Sequence, residues 1–268
     1  MRNVEGPAET LSSILSAAGF LSRLPMYKLM PVMGIENPDD DFARTSRFFA
    51  PAGLIVALPA GILALVLSHT ALSPFLIAAL AIAALTASTG ALHEDGLGDI
   101  ADGLAGGATR ERKLEIMRDS RIGTFAAVAL ILSVLIRVAA LSAFLTADGG
   151  LRFLLAFLAI AAVSRGGIVW LWAYLPPARE AGLSRSQGMP STGDAQFSLM
   201  LSIAIGLVFL LPLFGLARTL FILALGALAL VAWGGICRRQ IGGHTGDALG
   251  AAQQICEIAL LLAGAIAI

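Results

Sequence analysis

The sequence predicts an all-α integral membrane protein, a polytopic helical bundle with about seven transmembrane helices and an N-terminal amphipathic helix. Three observations carry this. Of 268 residues, 57% are hydrophobic and 13% charged, where soluble domains carry roughly a quarter charged residues. Mean hydropathy is +0.85. The apolar residues also gather into runs long enough, or almost long enough, to cross a bilayer, at about 48–68, 73–92, 124–145, 151–175, 197–216, 219–236 and 252–268. Without an internal repeat or low-complexity tract, these runs predict one membrane-embedded domain over 1–268.

Net charge is zero, which argues against nucleic acid as a partner. Cys237 and Cys256 stand in apolar context and read as buried inert thiols, not as a disulfide or zinc site. The N-terminus does not read as a cleavable signal, since Glu5 and Glu9 precede its first apolar positions. Residues 11–24 instead place Leu11, Ile14, Leu15, Ala18, Leu21 and Leu24 at helical spacing. They predict an amphipathic helix stopped by Pro25, lying on the bilayer or docked on the bundle.

Basic residues orient the spans. Arg2, Arg23, Lys28, Arg44 and Arg47 precede the first run, and Arg110, Arg112, Lys113, Arg118 and Arg121 separate the second from the third. Arg179 and Arg185 follow the fourth, and Arg238 and Arg239 follow the sixth. By the positive-inside rule the N-terminus and the long loops 93–123, 176–196 and 237–251 are expected on the cytoplasmic side. Arg137 and Arg165 interrupt apolar runs and are expected to face the bundle interior. Arg165 stands in "SRGG", where Gly166 and Gly167 can admit a ligand, so it is a candidate substrate contact.

The chemistry-bearing stretch is "LHEDGLGDIADGLAGG", residues 92–107. Asp95, Asp99 and Asp102 are four and then three residues apart, so a helix aligns them within roughly 60° on one stripe. Like charges so placed destabilise a bare helix. They make sense as candidate ligands of a hard cation, since Mg²⁺ prefers carboxylate oxygens and keeps water or phosphate as its other ligands. The glycines here cost helix stability but leave room for close approach. Glu94 points to another face, and His93 is placed to shuttle a proton or orient a carboxylate.

Downstream, "TRERKLEIMRDSRIGT" (109–124) reads as a helix capped by Thr109. Its far end offers Arg118 and Arg121 as candidate phosphate contacts and Asp119 as a further ligand or base. Arg110 and Arg112 read as residues that only anchor the loop. Two glycine-bearing loops add Arg179, Thr245 and Asp247 as candidate substrate contacts. Acidic and basic groups together suggest metal-assisted phosphoryl transfer, and the lack of a Walker-type loop argues against nucleotide hydrolysis of the P-loop kind.

Five ordered blocks, "FLSRLP" (20–25), "ALHEDGLGDIADGLAGG" (91–107), "LEIMRDSRIGTFA" (114–126), "LPPAREAGL" (175–183) and "IGGHTGDALGA" (241–251), resemble the signature blocks of the cobalamin synthase family, the adenosylcobinamide-GDP ribazoletransferases. The resemblance implies a Mg²⁺-dependent enzyme of the bacterial inner membrane. It would join adenosylcobinamide-GDP to α-ribazole or its 5′-phosphate and release GMP. It supports Asp95, Asp99 and Asp102 as metal ligands, and Asp119, Arg118, Arg121 and Asp247 as substrate or metal contacts. Glu94 departs from the family's apolar residue at its position, so no metal role is carried to it. Self-association and association with other corrinoid enzymes stay open. A CDP-alcohol phosphatidyltransferase would place Ala-Arg where Ala101-Asp102 stands. An aspartate-rich prenyltransferase would need a second motif, whereas Asp247 stands alone in the sequence. A transporter would show repeat symmetry.

Overall fold

The structure, a computed structural model, describes residues 6–35, 42–179 and 188–268. Arg2, Glu5 and Arg185 lie outside the described residues. Among those described, all regular structure is helical, apart from an isolated parallel bridge between Pro177 and His244.

Helix α1 (Pro7–Phe20) packs Ser12, Ser13, Leu15, Ala17 and Ala18 inward, so it docks on the bundle. It ends at Phe20, short of Pro25, which instead precedes the short helix α2 (Met26–Val32). Helix α3 (Phe42–Thr45) continues through a 3-10 turn, Ser46–Phe48, into α4 (Phe49–Leu67). Together they form a 26-residue candidate span.

Helix α5 (Pro74–Thr89) starts where local chemistry favours it. Ser73 accepts from the Leu76 N–H at 3.3 Å and Pro74 occupies the first turn. It stops at Gly90, whose φ of 63° is left-handed. The run expected at 73–92 therefore ends early, and its 16 residues cover only about 24 Å. The chain then bends by 90° into α6 (Leu92–Gly106), which carries the acidic stripe. Helix α7 (Arg110–Ile116) follows, capped by Thr109 through the Arg112 N–H at 3.2 Å.

The two longest helices are hairpins. In α8 (Thr124–Tyr174), Arg137 and Arg165 both reach Glu257. On a straight helix those arginines would stand about 42 Å apart. The reversal lies at Gly149, φ 80°, between arms Thr124–Thr146 and Gly150–Tyr174. In α9 (Thr192–Gln240), Gly215 has φ 72° and ψ 172°. A β-carbon at Gly206 would lie 2.8 Å from Leu223, so the arms fold against each other. They correspond to the runs expected at 197–216 and 219–236. Helix α10 (Gly246–Ala267) closes the chain, starting earlier than the run expected at 252–268.

By length and composition five helices can cross a membrane, or six if the bent pair α5–α6 is one span, with α9 taken as a single helix. The expected count of about seven therefore turns on the bends at Gly90 and Gly215.

Candidate active site

Helix α6 lies against the first turns of α10. A β-carbon at Gly96 would meet the Asp247 carbonyl oxygen at 2.8 Å and the Gly250 α-carbon at 3.2 Å. Only glycine permits this approach, and it places Asp247 beside the acidic face of α6. Asp247 is held in turn by Thr245, which caps α10 by accepting from the Ala248 N–H at 3.1 Å and donates to Asp247 Oδ2 at 3.3 Å. Thr245 is thus a buried capping residue, where the sequence predicts a substrate contact. Arg179 bridges Asp247 Oδ2 at 3.6 Å and the Leu114 carbonyl at 3.0 Å.

Asp95, Asp99 and Asp102 line one side of a cleft of about 260 Å³, and Arg118, Asp119 and Arg121 line the other. Burial, then the charges of Asp247, Asp95 and Asp102, push the half-buried Asp99 carboxyl up to about 6, against a smaller opposing pull from Arg179. Helix α6 lies outside the five single-helix candidate spans.

Two acids on the cleft already have partners. Asp102 accepts from the backbone N–H groups of Gly123 at 2.6 Å and Ala126 at 2.9 Å, capping the start of α8. Asp119 accepts a forked interaction from Arg121, whose hydrogen bonds hold its carboxyl down to about 2. While that fork holds, Asp119 is disfavoured as a proton acceptor. The Arg121 side chain is 87% exposed and spends its fork on Asp119. Arg118 is exposed on the same rim.

Among the described residues, no three His, Cys, Asp or Glu come close enough to hold a metal ion as they stand. Mg²⁺ needs no such cage, since one or two carboxylates plus phosphate and water complete its shell. One or two carboxylates from Asp95, Asp99 and Asp247, whose mutual repulsion a cation would relieve, fit that requirement. Asp102 fits least, because its oxygens serve the α8 terminus.

Arg110 does more than anchor a loop. Its Nε donates to the Ile241 carbonyl and one terminal nitrogen to the Ala178 carbonyl, both at 2.8 Å. It clasps the two segments joined by the Pro177–His244 bridge, where Ala178 N–H donates to the His244 carbonyl and His244 N–H to the Pro176 carbonyl, both at 2.8 Å. Burial pushes the His244 imidazole down to about 4.

Arg165, expected as a substrate contact, is 1% exposed and lines neither this cleft nor the cavity beside it. The expected openings at Gly166 and Gly167 are filled by Ser202, Ala50 and Leu230. Arg165 belongs instead to a buried ionic network. It lies 3.9 Å from Glu257 and donates to the Ala161 carbonyl at 3.0 Å. Arg137 reaches Glu94 at 2.9 Å, Gln254 at 2.6 Å and Glu257 at 3.6 Å. Glu94 is therefore a structural counter-ion. Sequence reasoning missed Glu257 inside the apolar run 252–268, although Gln253, Gln254 and Glu257 repeat at helical spacing there.

Asp95 also faces a second cavity, of about 220 Å³, with His93, Asp247 and several aromatic rings in its lining. His93 is buried there, away from the acidic cleft's lining, with no partner for Nε2 among the described residues.

Residues 13–265 match the cobalamin-5-phosphate synthase family. The chain belongs to the cobalamin synthase family. It is 44% identical over 265 residues to a protein of Sinorhizobium medicae, covering 97% of this chain and 98% of that one. It is 46% identical over 257 residues to one of Rhizobium etli, covering 94% and 95%, and 41% identical over 252 residues to one of Brucella ovis, covering 94% and 95%. All three relatives carry the name adenosylcobinamide-GDP ribazoletransferase. No solved structure matches the chain. For this member of the cobalamin synthase family the fold adds one relationship hidden in the sequence. Asp247, alone in its segment, joins the acids of α6 in space.

Proposed function

We propose that the chain is an adenosylcobinamide-GDP ribazoletransferase of the bacterial inner membrane, with its active site at the cytoplasmic face. It joins adenosylcobinamide-GDP to α-ribazole or its 5′-phosphate and releases GMP. The observation that carries this reading is the cleft where Asp95 and Asp99, backed by Asp247, face Arg118 and Arg121. The relatives' shared name supplies the substrates.

In this reading Asp95, Asp99 and Asp247 hold Mg²⁺, which supplies charge neutralisation at the diphosphate when bound. Arg118 approaches the phosphates from the opposite rim, and Arg121 joins it by exchanging Asp119 for a phosphate oxygen. Arg179 fixes the Asp247 carboxylate, and Thr245 fixes the turn that presents it. An acceptor ribose hydroxyl attacks the cobinamide-side phosphorus, the bond to the GMP oxygen breaks, and the hydroxyl proton leaves to a carboxylate or water at the cleft. Basic residues clustered in α7 and its flanks support the cytoplasmic placement.

The test is product analysis on purified protein in proteoliposomes, supplied with adenosylcobinamide-GDP, α-ribazole and Mg²⁺. GMP and the nucleotide-looped corrinoid should form in equal amounts and only with all three present. GMP formed without acceptor would mark a hydrolase, and no GMP at all would remove the reading.

A further inference from the structure

The second cavity is walled by Phe20, Phe42, Phe49 and Trp172, with Asp95 and Asp247 in its lining. The rings form one cluster. Phe20 and Phe42 have centroids 4.4 Å apart, Phe20 stacks on Phe49 at 5.9 Å, and Phe42 lies 6.0 Å from Trp172. Two buried polar atoms in the same lining have no hydrogen-bond partner among the described residues, Trp172 Nε1 and His93 Nε2, on side chains of residues 3% and 2% exposed. Buried indole N–H groups ordinarily find an acceptor. Their presence on the wall of a cavity points to a ligand that brings one. A dry apolar cavity of about 150 Å³ suffices for benzene, so about 220 Å³ admits a bicyclic ring.

We propose that this cavity receives the benzimidazole base of the acceptor nucleoside, with Trp172 Nε1 donating to the unsubstituted ring nitrogen. This rests on the ribazoletransferase reading. The chemistry of the lining favours that base over the guanine of the other substrate. Guanine carries several edge donors and acceptors that would each need a buried partner, and the wall's side chains offer the two nitrogens and the carboxylates of Asp95 and Asp247, which the proposed function gives to Mg²⁺. A benzimidazole asks for a single donor and otherwise presents hydrocarbon faces, which stack among phenyl rings. Asp95 lines both this cavity and the acidic cleft. A nucleoside with its base among the rings thus directs its ribose toward the carboxylates, and His93 Nε2 is left to bond a sugar hydroxyl.

The test compares parent, Trp172→Phe and Phe20→Ala by steady-state GMP release, and by equilibrium dialysis of α-ribazole against each purified protein. Trp172→Phe keeps the ring and removes the donor, so KM and Kd for α-ribazole should rise on the order of fivefold. Phe20→Ala, at the partly exposed edge, should raise both about tenfold. KM for adenosylcobinamide-GDP should stay within about twofold for each. Unchanged acceptor constants in both variants, or a rise confined to the GDP-linked substrate, would overturn the assignment. Should Trp172→Phe fail to fold, Phe20→Ala decides alone. If the parent releases no GMP, the ribazoletransferase reading falls, while dialysis still reads the cavity.

Discussion

Gly96 of α6 rests directly on the backbone of Asp247 of α10, so close that a β-carbon at 96 would stand 2.8 Å from the Asp247 carbonyl oxygen. Neither backbone can yield without moving a helix. Gly96→Ala is therefore expected to part the two helices and lower turnover at least tenfold, even though alanine is the better helix former. Gly106→Ala, whose β-carbon would meet only the end of the Ile116 side chain at 3.3 Å, should retain most activity. GMP release by the two variants checks this, and equal rates would contradict it.

Asp99 is expected to make stability and Mg²⁺ affinity depend on pH. Its carboxyl is raised from 3.8 to about 6 in the folded chain, so between those values the native state binds a proton that the unfolded state does not. Its contribution to stability is thus most favourable below about 4 and is lost as pH rises through 6. Asp99→Asn should raise the thermal midpoint at pH 7.5 without Mg²⁺. In the parent, Mg²⁺ affinity should weaken progressively below pH 6, as protons compete for the carboxylate. A lower midpoint for the variant, or affinity flat from pH 5 to 7, would count against this environment.

Arg110 and Arg112 neighbour each other on α7 but do different things. Arg110 clasps two loops through carbonyls, whereas Arg112 pairs with exposed Glu115 at 2.7 Å. Exposed pairs of that kind contribute little. Arg110→Ala should lower kcat about tenfold by releasing the segments that hold Arg179 and Asp247, and Arg112→Ala should stay within twofold. Matched kinetics on folded protein decide between the clasp and a general anchoring belt.

Arg137 is fully buried and depends on Glu94 and Glu257. Removing one partner from a buried pair leaves an uncompensated charge, a loss of about 3–5 kcal/mol. Glu94→Ala should lower the thermal midpoint sharply. A midpoint equal to the parent's would mean that the network contributes nothing to stability.

How legible this was depends on the range of the interaction. Hydropathy is local, so the all-α membrane class and most apolar segments read directly from the chain. The stripe of Asp95, Asp99 and Asp102 is local too. The pairing of Gly96 with Asp247 is not, because it joins residues about 150 positions apart through backbone contact. Glu257 was hidden by the apolar average of its segment, although its partners Arg137 and Arg165 were conspicuous for lacking a counter-charge. Arg165 illustrates the converse error, since glycines beside a charge can admit a neighbouring helix as readily as a ligand. Gly215 reverses α9 through a left-handed φ that composition alone does not distinguish from an ordinary membrane-helix glycine. The aromatic cavity was invisible for the same reason as Asp247, its walls coming from segments far apart in the chain.

In the proposed function the acids of α6 and Asp247 of α10 form one reaction centre. Mg²⁺-dependent GMP release should be measured side by side for the parent, Asp99→Asn and Asp247→Asn, each reconstituted in lipid and shown to be folded. Both substitutions are expected to reduce release by on the order of a hundredfold or more, since each removes charge directed at the transferring phosphate. A parent-like rate in Asp247→Asn beside an inactive Asp99→Asn would contradict this, leaving α6 to act without α10.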